Sequence, residues 1–222
     1  MAKKPRVIHT CTECGYSSPK WLGRCPECGS WGTLQEEAPV ASGPVKTSSL
    51  TPSAPASPIT KVEAAATKTV KSGIRELDRV LGSGVVPGSV VLMAGEPGVG
   101  KSTLLLEVAS RWAKQGRKAL YVTAEESAGQ VRARAERTEA LVDTLYLAAE
   151  SNLDVVFGHV EQLKPSLLIV DSVQTMHAAG VEGVAGGVAQ SRAVTAALTT
   201  LAKTTNIPVL LVGHVTKDGN VA

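Results

Sequence analysis

From about Ile59 onward the chain alternates between two hydrophobic rhythms. Short, unbroken aliphatic runs of strand length occur at 90–94, 119–123, 144–148, 167–170 and 209–212. Runs without polar alternation suit strands whose two faces are both covered. Between them lie longer stretches with apolar residues three and four positions apart, at 101–115, 129–140, 152–162 and 188–205. That is the spacing of amphipathic helices. Asn152 is placed to cap the third of these helices. The run ALTTLAKTT in the last keeps helical spacing of Ala and Leu in spite of its threonines. Strands separated by helices need crossover connections, so the expected fold is α/β, with a parallel sheet covered on both faces.

Upstream of Ile59 these rhythms are absent. Residues 1–33 hold all four cysteines, two of the three tryptophans and several turn formers. Residues 34–58 are rich in Pro, Ser, Ala and Thr. Such a stretch buries too little apolar surface to fold and is expected to be a flexible, partly extended linker. Three parts follow: a small module at 1–33, a linker at 34–58 and an α/β core at 59–222.

Composition adjusts this picture in two ways. Aromatic residues make up only 3% of the chain against 43% hydrophobic residues, so the core must be built from Val, Leu, Ala and Ile. The net charge of +3 is too small to point to nucleic acid by itself. Its excess lies entirely in residues 1–33, where Lys3, Lys4, Arg6, Lys20 and Arg24 face Glu13 and Glu27. No apolar run has the length of a membrane span, and no apolar segment of a signal peptide follows the basic start. The expectation is a cytoplasmic protein, whose cysteines act as metal ligands or thiols rather than as a disulfide frame.

The segment Gly95-Glu96-Pro97-Gly98-Val99-Gly100-Lys101-Ser102 fits the phosphate-loop pattern G-x-x-x-x-G-K-[ST] in full, between an expected strand and an expected helix. The chemistry needs these residue types. Glycines let backbone N–H groups turn inward on phosphate oxygens with no Cβ in the way. The helix from Lys101 directs its positive end at the same oxygens. Lys101 is expected to reach the β- and γ-phosphates and Ser102 to ligate Mg²⁺, with Thr103 near the α-phosphate. The ligand is a nucleoside triphosphate, most simply ATP.

The other half of such a site is a carboxylate for the metal. Leu167–Val170 is an apolar strand followed by Asp171, which sets an acid at the carboxyl edge of the sheet. Hydrolysis also needs a group that orients or deprotonates water. Glu125 and Glu126 follow the strand at 119–123; Glu125 is the favoured candidate and Glu126 the alternative, against a reading as acids that complement a helix dipole. His214, after the last strand, is placed to hydrogen-bond a γ-phosphate, although a lone histidine is more often structural. Arg132, Arg134 and Arg137 read as a solvated helix face.

Cys11-x-x-Cys14 and Cys25-x-x-Cys28 are separated by ten residues. Two such knuckles supply the four thiolates of a tetrahedral zinc site. Gly15 and Gly29 follow the second cysteine of each pair and free backbone N–H groups to turn toward sulfur. A redox or disulfide pair and an iron–sulfur centre are the other readings. With so little core, such a module would draw most of its folding energy from the metal, on the order of 10–16 kcal/mol apparent. Trp21, Trp31 and Tyr16 are expected to pack over the knuckles, with stacking on a nucleic-acid base as the alternative.

Five segments together resemble a known family: CTECGYSSPKWLGRCPECGSWGT, SGIRELDRVLGSGVVPGSVVLMAGEPGVGKSTLLLEVA, YVTAEES, LLIVDSVQT and LLVGHVTKDG. They are similar to bacterial RadA, also called Sms, a DNA-repair family related to RecA. The resemblance implies a RecA-like phosphate-loop core behind a four-cysteine zinc-ribbon-like module. It implies a DNA-dependent ATPase of homologous recombination that binds single-stranded or branched DNA, works with RecA and drives branch migration as a hexameric ring in the nucleoid of bacterial cytoplasm. It implies that Glu125 is the catalytic acid and His214 the γ-phosphate sensor. It also implies that the glycine-rich loop near 178–192 faces DNA, with Arg192 or Gln190 as backbone contacts. Family members continue past the position of Ala222, through further core, a Lys-Asn-Arg-Phe-Gly signature and a domain resembling the Lon protease. A chain ending at Ala222 is therefore expected to have an incomplete sheet with an exposed edge, to bind ATP and to hydrolyse it poorly alone. Two other readings remain: a signalling or clock ATPase of the KaiC type, and an ATP-binding fragment without turnover.

Overall fold

A computed structural model describes residues 8–37, 58–61 and 68–215, and they form two compact units, one on each side of Thr67. The first unit carries a three-stranded antiparallel sheet in the order β2-β1-β3, made of β1 (Ile8–Cys11), β2 (Ser17–Ser18) and β3 (Leu34–Glu37). β3 corrects the expected boundary, because a linker from residue 34 leaves no place for it. Leu34 is buried beside Cys11 and Cys25, and its neighbours pair with β1 in the register Cys11↔Leu34 to Ile8↔Glu37. The polar Gln35 and Glu36 are exposed, which is why the segment reads as linker in the sequence. Residues 38–57 of the expected linker lie outside the described residues. A single 3₁₀ turn, Ile59–Lys61, follows.

The second unit is the α/β core. Its five strands are β4 (Val90–Gly95), β5 (Ala119–Thr123), β6 (Leu145–Ala149), β7 (Leu167–Asp171) and β8 (Val209–His214). They pair in parallel in the order β4-β8-β7-β5-β6. The helices are α1 (Arg75–Val80), α2 (Lys101–Ala113), α3 (Ala128–Arg137), α4 (Leu153–Leu163) and α5 (Val188–Thr205).

The three inner strands have two buried faces, as their unbroken aliphatic runs require. Ala119, Tyr121, Leu167, Ile169, Leu210 and Val212 pack with α2 and α3 through Leu105, Leu106, Trp112 and Val131. Leu120, Val122, Leu168, Val170, Val209 and Leu211 point the other way and pack with α4 and α5 through Val156, Val160, Val194 and Leu198. The period of two along each strand thus divides one apolar run between two cores.

Helix ends depart from the periodicity where local chemistry overrides it. α3 starts at a capping box between Ser127 and Gln130, and Asn152 caps α4 as expected. α3 stops at Arg137, short of the expected 140, because the Thr138 hydroxyl donates to the carbonyls of Arg134 and Ala135 and Glu139 adopts φ +52°. α1 lies in a segment with no predicted element. It is held by side chains: Asp78 accepts from the Ser72 N–H at 2.8 Å, and the Arg111 guanidinium of α2 donates to the Gly73 carbonyl at 2.9 Å. A Cβ on Gly73 would lie 2.8 Å from Arg111 Cβ, and φ there is +89°, so this close approach requires glycine.

Candidate functional site

The loop after β4 closes on itself as the phosphate-loop pattern requires. Gly98 and Gly100 have φ of +80° and +93°, left-handed values that glycine adopts without strain, and α2 begins at Lys101. The Lys101 side chain is buried, and its ammonium donates to the carbonyls of Gly95 and Glu96, each at 2.7 Å. A fixed cation therefore sits at the centre of a loop whose N–H groups adjoin the positive end of a 13-residue helix. That arrangement suits a polyphosphate. Glu96, Pro97, Val99, Ser102 and Thr103 complete the stretch, with Ser102 half-buried and Thr103 exposed.

Strand pairing brings the other candidates to the same edge of the sheet. Gly95 is opposite His214, and Thr123 is opposite Asp171. Asp171 is only 3% exposed. Its Oδ2 accepts a hydrogen bond of 2.5 Å from the Tyr121 hydroxyl, and its Oδ1 has no partner among the described residues. A buried carboxylate oxygen left unpartnered is costly unless something else satisfies it, and the donor set suits a hard cation such as Mg²⁺. Burial, reinforced by the Asp171 charge, pushes the Tyr121 phenol far above its usual range, so it stays protonated and can only donate there.

The two acids after β5 have separate environments. Glu125 Oε1 receives hydrogen bonds from Ser172 Oγ and, at 2.9 Å, from His214 Nε2. Ser172 is fully buried, and Gln174 Nε2 donates to the His214 carbonyl at 3.3 Å. Glu126 instead pairs with Arg134 at 2.6 Å. The two acids are thus divided: Glu125 meets Ser172 and His214 at the sheet edge, and Glu126, the alternative catalytic group, is engaged with Arg134 of α3. Arg134 is a correction: at 14% side-chain exposure it is a half-buried ion-pair partner rather than part of a solvated face, whereas Arg132 and Arg137 are exposed.

Gln190 is corrected as well. It is 4% exposed and binds the loop before α5 from within, accepting from the Ala178 N–H at 2.8 Å and donating to the Val181 carbonyl at 2.6 Å. It cannot reach a nucleic-acid backbone from there. Arg192 is exposed. Sequence reasoning missed Tyr121 and Ser172. Tyr121 reads as a core aromatic, and only the pairing of β5 with β7 reveals its reach; Ser172 carried a weak signal as the residue after Asp171.

In the first unit the four cysteine sulfurs lie within 4.8 Å of one another. Cys11 and Cys28 Sγ are 3.7 Å apart, and Cys14 and Cys25 Sγ are 3.5 Å apart. Four sulfurs on a tetrahedron of Zn–S length ~2.3 Å are separated by ~3.8 Å, so the set fits zinc. The two knuckles are near-copies. The Gly15 and Gly29 N–H groups donate to the carbonyls of Cys11 and Cys25, both at 2.9 Å, and both glycines have left-handed φ. The next N–H groups, of Tyr16 and Ser30, then turn to the sulfurs of Cys14 and Cys28. Burial pushes the Cys14 thiol up to about 12; at Cys11 burial acts in the same direction but is outweighed by hydrogen bonding with the Thr33 side chain and with backbone, which brings it down to about 6. Trp21 and Trp31 depart from expectation. They do not cover the knuckles but are 61% and 75% exposed, with Arg24 stacked 5.9 Å from the Trp31 ring centre; Tyr16 is half-buried against the cysteines.

A phosphate loop at the carboxyl edge of a parallel sheet, with helices on both faces, defines this core as a P-loop α/β domain. Residues 55–220 match the family model described as an AAA domain, and the chain belongs to that family. Residues 9–36 match a rubredoxin metal binding domain. The chain is similar to the DNA repair protein RadA of Mycolicibacterium smegmatis, 53% identical over 99% of this chain and 49% of that protein. It is 56% identical to the DNA repair protein RadA of Mycobacterium tuberculosis H37Rv, over 98% of this chain and 46% of that one. For the Streptococcus pyogenes M1 protein of the same name the identity is 45%, over 100% and 49%. The chain spans about half the length of the curated relatives it matches. No helix among the described residues is long and apolar enough to cross a membrane.

Proposed function

We propose that this chain carries the ATPase unit and zinc module of a DNA-repair motor that processes recombination intermediates. Its substrate is ATP, its resident ions are Mg²⁺ and Zn²⁺, and its partners are single-stranded or branched DNA, RecA and further copies of itself in a hexameric ring. It works in the cytoplasm, at the nucleoid. The observation that carries this reading is the convergence at one sheet edge of the Lys101 loop, the unpartnered Asp171 oxygen and the Glu125–His214 pair. The similarity over nearly the whole chain to proteins named DNA repair protein RadA supports the DNA role, and the four-cysteine module weighs against a KaiC-type ATPase.

In this reading the loop amides and Lys101 hold the β- and γ-phosphates. Ser102 and Asp171 hold the magnesium, which when bound offsets phosphate charge. Glu125 orients the attacking water and accepts its proton while Ser172 fixes the carboxylate. The Glu125–His214 hydrogen bond links water positioning to the γ-phosphate, because His214 stands opposite the start of the loop. The zinc of Cys11, Cys14, Cys25 and Cys28 is structural.

ATP turnover with and without single-stranded DNA tests this reading. The expected result is DNA-stimulated hydrolysis that Lys101→Ala lowers on the order of 10²-fold or more. Turnover indifferent to both DNA and Lys101→Ala contradicts it.

A further inference from the structure

Tyr121 stands where the nucleotide loop and the metal carboxylate meet. Its ring lies in the core between β5 and α2, and its hydroxyl emerges 2.5 Å from Asp171 Oδ2 and 3.4 Å from the Ser102 carbonyl. It therefore touches both residues assigned to the cation, one by side chain and one by backbone. Asp171 has two carboxylate oxygens, and the phenol occupies one of them. Oδ1 is left buried and without a partner among the described residues. The hydrogen bond takes one lone pair of Oδ2 and fixes the orientation of the carboxylate, which favours ligation of a cation through Oδ1 over a clasp by both oxygens.

That difference separates the two common hard cations. Calcium accepts six to eight oxygens at flexible distances and often takes a carboxylate through both of its oxygens. Magnesium demands a tight octahedron, keeps several waters and takes one oxygen from each carboxylate. We propose that Tyr121 is a positioning residue which, by holding Asp171 Oδ2, disfavours two-oxygen ligation by this carboxylate and so adds to the preference of the site for magnesium over calcium. This rests on the reading that Asp171 serves the metal of a bound nucleotide. The ring of Tyr121 also fills the core, so a packing role must be separated from the role of the hydroxyl. Phenylalanine keeps the ring and removes only the oxygen.

The test measures binding of a fluorescent ATP analogue to the whole chain in EDTA, in magnesium and in calcium, for the wild type, Tyr121→Phe, Asp171→Asn and the double variant. In EDTA, Tyr121→Phe should bind within about two-fold of wild type, since its one contact with the loop is a long one of 3.4 Å to the Ser102 carbonyl. Its gain on adding magnesium should fall about five- to ten-fold, and its preference for magnesium over calcium at least about three-fold, as befits a lost hydrogen bond to a charged group. In the Asp171→Asn background, Tyr121→Phe should change nothing further. An unchanged magnesium-to-calcium ratio in Tyr121→Phe overturns the proposal, as does an equal effect in both backgrounds, which marks packing alone. If Asp171→Asn leaves the magnesium gain of the wild type intact, the reading of Asp171 fails, and the role of Tyr121 fails with it. A second measurement needs no substitution and covers a variant that does not fold. In wild-type chain labelled at tyrosine Cζ with ¹³C, the Tyr121 resonance should move when magnesium joins the nucleotide complex; a resonance that ignores magnesium overturns the proposal.

Discussion

Glu125 and Glu126 are neighbours in sequence with opposite surroundings, and substitution separates them. Glu125 faces Ser172 and His214 at the sheet edge, whereas Glu126 is spent on Arg134. Glu125→Gln keeps size and hydrogen bonding but removes the base, so turnover should fall on the order of 10²-fold with nucleotide affinity nearly unchanged. Glu126→Gln should leave turnover within a few-fold but lower stability by about 1–3 kcal/mol, because it strands a largely buried guanidinium. Paired turnover and denaturant measurements check both, and a reversal of the two phenotypes would exchange the roles. At this scale the loop residues, Asp171 and the cysteines are legible because their chemistry imposes a spacing. Tyr121, Ser172, Arg134 and Gln190 are not, because each acts through a partner 8 to 50 positions away or, for Gln190, through loop backbone. Such pairings exist only once the strands are in register.

Among the elements, the sheet was readable and the small pieces were not. Strands buried on both faces leave unbroken aliphatic runs, and the long helices leave a period of 3.6. Their observed ends move by one to three residues where caps intervene. α1 and β1–β3 leave no such trace. α1 has six residues held by Asp78 and Arg111, and the small sheet has a core of little more than Cys11, Cys25 and Leu34. So thin a core predicts that the sheet depends on a metal joining its four sulfurs. Cys25→Ser, or a strong chelator, should unfold residues 8–37 while leaving the melting of the α/β core in place; loss of both together would contradict this. Acid should release the metal. Zinc must displace thiol protons to bind, and burial, which raises the Cys14 thiol, adds to that cost. Affinity should therefore fall as pH falls, as a metal-binding titration across pH 5–8 can follow. Affinity that is flat across that range would rule out thiolate ligation.

Taken whole, the chain carries a four-cysteine module at residues 9–36 and, after it, a P-loop domain. Every role proposed for the α/β core depends on one physical event, the closing of the loop from Gly95 to Ser102 around a triphosphate whose charge Lys101 and magnesium offset. Calorimetric titration of the folded chain with ATP, in magnesium and in EDTA, reads that event without requiring DNA, partners or turnover. The expected result is a dissociation constant in the range ~1 µM to 1 mM that weakens at least about ten-fold in EDTA and in Lys101→Ala. No measurable binding, or binding that neither magnesium nor Lys101 affects, would contradict it.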